Sequence, residues 1–169
     1  MRIRIVYLLV VIFFIFVFII FYRGLSNSNL YTPNTDIKNI LGFRGSYISD
    51  LFFQSIGLIS YLFSITLIFT GVNITITKDL FLIIESVFYS IIYSLLGSSF
   101  FNNFYDSTFA LFINGNGGFI GNYLNDNLLD NLIALNQTIS YYLLIFLITC
   151  FFLLSINFSL RKFLNLLKK

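Results

Sequence analysis

Four long apolar runs separated by polar stretches organise the chain: Ile3–Tyr22, Asp50–Val72, Leu80–Gly97 and Thr138–Phe158. A helix needs roughly 20 mostly apolar residues to cross the hydrocarbon of a bilayer, so each run predicts a transmembrane helix. The first is interrupted only by Arg4 near its start. It is longer than a signal-peptide core and no small-x-small cleavage site clearly follows, so it is expected to stay as an anchor. The third, with 18 residues, is the shortest and contains Glu85. Between the runs, residues 23–49 carry Gly, Asn, Ser and the only proline, Pro33, and predict a loop. Residues 73–79 predict a tight turn, and 98–121 a second loop with the turn cluster Asn114-Gly115-Asn116-Gly117-Gly118. Residues 122–136 predict an amphipathic helix leading into the last span, and 159–169 a basic tail.

Composition agrees with the membrane reading. The chain is 58% hydrophobic and 10% charged, and its mean hydropathy is +0.90. Soluble domains carry about 25% charged residues, so too few are present here to cover a water-facing surface. The expected fold class is an all-α integral membrane protein of four transmembrane helices, with the bilayer as its first partner. There is no histidine and one cysteine, Cys150, within an apolar run. That inventory allows no internal disulfide and no Cys/His metal cluster, and no cofactor is expected. The net charge of +3 comes from residues at the borders of the runs, where topology explains them better than phosphate binding. Direct binding of nucleic acid by this chain is therefore not expected.

An even number of spans puts both termini on one side. That side holds Arg2, Arg4, Lys78, Arg161, Lys162, Lys168 and Lys169, against Arg23, Lys38 and Arg44 on the other. The positive-inside bias predicts cytoplasmic termini and external loops 23–49 and 98–121. The most specific signal is a repeat. Gly42-Phe43-Arg44-Gly45-Ser46-Tyr47-Ile48-Ser49-Asp50 returns as Gly118-Phe119-Ile120-Gly121-Asn122-Tyr123-Leu124-Asn125-Asp126. Each copy precedes a span that returns inward, so the spans form two hairpins related as parallel repeats.

The motif has a structural reading throughout. Glycines three apart allow close backbone approach. Ser46 and Asn122 suit helix N-caps, and Asp50 and Asp126 then sit in first turns, where a carboxylate complements the helix dipole. Tyr47 and Tyr123 suit the membrane–water border. Further on, Gly57, Ser60 and Ser64 recur at helical spacing and form a candidate packing face.

With those residues in place, the chain resembles a known family. Gly42, Gly45, Asp50, Leu51, Gln54, Gly57, Tyr61 and Gly71 look like the first half of the FtsK N-terminal four-span membrane domain. Gly117, Gly118, Gly121, Asp126, Leu128 and Leu129 look like its second glycine motif. Ser64 stands where that family often has proline, and Asn136 where a glycine is expected. The resemblance implies a membrane-anchoring and protein-interaction domain of a DNA translocase acting in cell division and chromosome segregation. It places the chain in the bacterial inner membrane, at the division septum. It also implies other division-site membrane proteins as partners, and a homo-oligomer. FtsK-like translocases continue into a cytoplasmic ATPase, but no Gly-x-x-x-x-Gly-Lys-[Ser/Thr] loop occurs in these residues. Only the anchoring part is expected here.

The other reading is a small transporter or channel subunit, with the repeats framing a polar path. Glu85 is its best support, as the one ionisable residue well inside a predicted span. Its distance from Lys78 also suits simple pairing or snorkelling at the border. An embedded enzyme is not expected: no paired carboxylates, Ser/His arrangement or metal ligands fall within the spans.

Overall fold

The computed structural model describes residues 42–105, 114–126, 133 and 136–157. The expected first span, the first part of loop 23–49 and the basic tail lie outside them. Five helices are described: α1 (Gly42–Ile56), α2 (Ser60–Thr77), α3 (Leu82–Tyr105), α4 (Gly118–Leu124) and α5 (Gln137–Ser155). A single 3₁₀ turn, Gly57–Ile59, joins α1 to α2. No strand occurs among the described residues. Among the described residues, three segments are long and apolar enough to cross a membrane: Tyr47–Thr77, Leu82–Tyr105 and Gln137–Ser155.

Several boundaries differ from the sequence expectation, and the tight turn expected at 73–79 is helical as far as Thr77. Helix α1 begins at Gly42, inside the stretch expected to be loop, and runs through the whole first motif. Helix α3 continues past Gly97 to Tyr105. Gly97-Ser98-Ser99 reads as a helix end because it is small and polar, yet all three residues are buried. Their smallness admits neighbours: a Cβ on Gly97 would lie 2.4 Å from the Ile59 side chain.

Helix α3 is the centre of the arrangement and packs against α5, α4, α2, the 3₁₀ turn and α1. Its buried residues explain why. Ser86, Ser90, Ser94 and Ser98 recur every fourth residue, and positions four apart share one helix face. Helix α2 buries Ser60, Ser64, Thr66, Thr70 and Gly71. The exterior is the reverse: Phe69, Ile76, Phe81, Ile84, Phe88, Ile91, Leu143 and Phe146 are exposed. Small hydroxyl residues inside and large apolar ones outside suit a solvent of hydrocarbon, where burial of apolar surface gives no drive and close approach gives the packing. A more ordinary apolar cluster forms at one end, where Phe100, Ile133 and Leu144 are buried among Leu96, Phe104, Tyr141 and Ile148.

Candidate functional site

The second copy of the motif meets the break between α1 and α2. Gly57 has φ +68°, a left-handed conformation that stops the α-helix and frees its backbone groups. Unsatisfied groups within a membrane cost several kcal/mol each, so they need partners from elsewhere. The turn Asn114–Gly118 supplies them. The Leu58 N–H donates to the Asn116 carbonyl at 2.9 Å. The Asn114 Nδ2 donates to the Gln54 carbonyl at 3.2 Å. From α3, the Ser98 hydroxyl donates to the Ile56 carbonyl at 2.9 Å.

Only glycine fits where these strands of backbone touch. A Cβ on Gly57 would stand 1.9 Å from the Asn116 oxygen. One on Gly118, whose φ is +67°, would stand 2.6 Å from the Gly57 nitrogen. On the other side, Cβ atoms at Gly117 and Gly121 would each lie 2.5 Å from the Ser98 carbonyl oxygen. Helix α4 is thereby pressed onto α3 through glycine faces, while α1 packs against α4. Asn116 is fully buried; its Nδ2 donates to the Tyr105 carbonyl.

The motif residues named from the sequence divide between this junction and its surroundings. Gly57, Gly118 and Gly121 form it, and the carbonyl of Gln54 joins it. Gly42 opens α1, and Gly45 is buried one turn later. Asp50 is buried in α1, its side chain hydrogen-bonded to that of Gln54. Asp126 is exposed beyond the end of α4 and takes no part. The N-cap expectation is overturned at both copies. Ser46 lies inside α1, since the helix starts four residues earlier. Asn122 lies inside α4, where its Nδ2 reaches the Asn114 carbonyl at 3.1 Å and ties the turn to the helix. The side-chain N-cap belongs instead to Asn136, whose Oδ1 accepts from the Ile139 N–H at 3.1 Å.

Gly57, Ser60 and Ser64 are all buried. Ser60 and Ser64 turn their hydroxyls back onto the Gly57 and Ser60 carbonyls, at 2.7 and 3.0 Å. Glu85 is half-buried in the first turn of α3, a favourable place for a carboxylate. Among the described residues no group of His, Cys, Asp and Glu could hold a metal ion.

A second polar constellation escaped sequence reasoning. Thr66 Oγ1 lies 2.9 Å from the Tyr93 hydroxyl and 3.1 Å from Ser155 Oγ. Ser155 donates to the Phe152 carbonyl at 2.7 Å. A hydroxyl has one proton to give, so the chain runs from Tyr93 to Thr66 to Ser155 to the Phe152 carbonyl. Ser86 adds a bond to the Ser155 carbonyl at 2.7 Å, and Asn73 one to the Ile156 carbonyl at 2.8 Å. Side chains of α2 and α3 thus close carbonyls at the end of α5. Ser and Thr are common throughout the chain, so nothing in the sequence marks these members.

Apolar helices with hydroxyl interiors and a backbone-to-backbone glycine junction define a multi-pass α-helical membrane protein. The family of the 4TM region of DNA translocase FtsK/SpoIIIE matches residues 2–168, essentially the whole chain, and the chain belongs to that family. No curated protein and no solved structure matches it.

Proposed function

We propose that this chain is the membrane-anchoring and protein-interaction region of an FtsK-like DNA translocase, acting in bacterial cell division and chromosome segregation. The family match across residues 2–168 carries this reading. In it, four spans form two parallel-repeat hairpins in the inner membrane, with both termini cytoplasmic. The region is not itself catalytic. It positions a motor, contacts other septal membrane proteins, and assembles with further copies of itself. The glycine junction suits such a role, because it fixes the turn 114–118 against two spans and presents a rigid surface rather than a flexible loop.

The transporter or channel reading has weaker support. Interior hydroxyls such as Thr66, Ser86 and Ser155 bond to one another and to backbone carbonyls, as groups that tie helices together do. The test is localisation. Fused to a fluorescent protein in a rod-shaped bacterium, residues 1–169 are expected to form a midcell band in dividing cells. A uniform peripheral signal contradicts the septal role. Reporter fusions after Lys78 and within 106–113 should report opposite sides of the membrane, the first cytoplasmic.

A further inference from the structure

A cavity of about 240 Å³ lies where α3 ends and α5 begins, lined by Phe104, Gln137, Thr138, Tyr141 and Tyr142. It is separate from the glycine junction, and the anchoring role gives it no work. Its rings are set at right angles. Phe104 and Tyr141 have centroids 5.1 Å apart at 83°, and Tyr141 and Tyr142 5.4 Å apart at 89°. Tyr141 is held from behind by the Phe100 ring at 5.4 Å, and its hydroxyl is 2.9 Å from that of Tyr105. The aromatic set is therefore built before any ligand arrives.

We propose that this cavity binds the ammonium of a zwitterionic lipid headgroup of the phosphoethanolamine type. Three aromatic side chains, Phe104, Tyr141 and Tyr142, line this one space, and aromatic rings attract organic cations. Among the described residues, no Asp, Glu, Lys or Arg lines the cavity. The Gln137 amide and the Thr138 hydroxyl, both exposed at the rim, are donors suited to the attached phosphate. A space of about 240 Å³ suits a small headgroup. Position makes the lipid the source. Tyr105 and Gln137 are the ends of two candidate spans, which sets the cavity at headgroup depth. From its rim, exposed Ile139, Leu143 and Phe146 continue along α5 as an apolar track for the acyl chains.

The experiment is native mass spectrometry of the full chain released from nanodiscs of equimolar phosphatidylethanolamine and phosphatidylglycerol. Preferential retention of phosphatidylethanolamine is expected. Tyr142→Ala should cut that retention about fivefold and Tyr142→Phe should preserve it, as loss and retention of one ring face predict. Tyr142 is 68% exposed, so its truncation leaves the packed interior alone. Phe104→Ala, checked for folding by circular dichroism, should act in the same direction. Soluble phosphoethanolamine displacing the lipid supports headgroup capture. Equal retention of the two lipids, or wild-type retention by Tyr142→Ala, overturns the proposal. So does equal displacement by an alkyl amphiphile lacking the ammonium, since that is acyl-chain binding.

Discussion

The two copies of the nine-residue motif share Gly, Phe, Gly, Tyr and Asp in register, yet they build different things. The first copy becomes the opening turns of α1, which continues without interruption to Ile56. The second copy becomes α4, seven residues long, whose glycines are wedged between α3 and the break at Gly57. Matching aspartates show the divergence most clearly: Asp50 is buried beside Gln54, whereas Asp126 is exposed. The first copy therefore opens a helix, and the second supplies glycines that let the turn before it reach the break in that helix. Sequence identity between repeats sets similar local propensities, but the neighbour each copy meets decides its environment.

The largest test of this contrast is Gly57→Ala. It forces a Cβ into a left-handed backbone and into the Asn116 oxygen, and should cost at least about 3 kcal/mol in detergent-micelle unfolding. Gly45→Ala in the first copy needs no left-handed backbone and should change stability by less than about 1 kcal/mol. Equal effects would erase the distinction between the copies. Next come the aspartates. Asp50→Ala strips the Gln54 side chain of its partner inside the structure and should cost about 1–3 kcal/mol. Asp126→Ala should stay within about 0.5 kcal/mol, as exposed substitutions do. Asn136→Ala removes the side-chain cap of α5 and should cost about 1 kcal/mol, readable as the same unfolding shift. The smallest effect belongs to the hydroxyl chain. A double-mutant cycle of Thr66→Val and Tyr93→Phe should show a coupling of about 0.6 kcal/mol, the usual scale for hydrogen bonds between membrane helices.

How far the sequence revealed this depends on the kind of signal. Long apolar runs announce membrane helices because the bilayer demands length and hydrophobicity and little else. The glycine motifs announce close backbone approach, and Gly118 and Gly121 indeed lie where a Cβ would clash. Their partners were hidden. Gly57 reads as one small residue in a packing face, and only its neighbour across space, Asn116, makes it a break. Ser46 and Asn122 suit N-caps by residue type, but capping depends on where the helix starts, and both residues lie four positions inside their helices. Ser98 and Ser99 read as the end of a helix because polarity suggests water, while here the Ser98 hydroxyl is satisfied by the Ile56 carbonyl.

The central claim is that the turn 114–118 completes the broken span through the Leu58 N–H and the Asn116 carbonyl. Nuclear magnetic resonance of the chain in micelles, with ¹⁵N-leucine and ¹³C-carbonyl asparagine, tests it directly. A scalar coupling across that hydrogen bond, from the Leu58 nitrogen to the Asn116 carbonyl carbon and abolished by Gly118→Ala, is the predicted result. With glutamine carbonyls labelled instead, a coupling from Leu58 to Gln54 would mean an unbroken α-helix through Gly57 and would contradict the account.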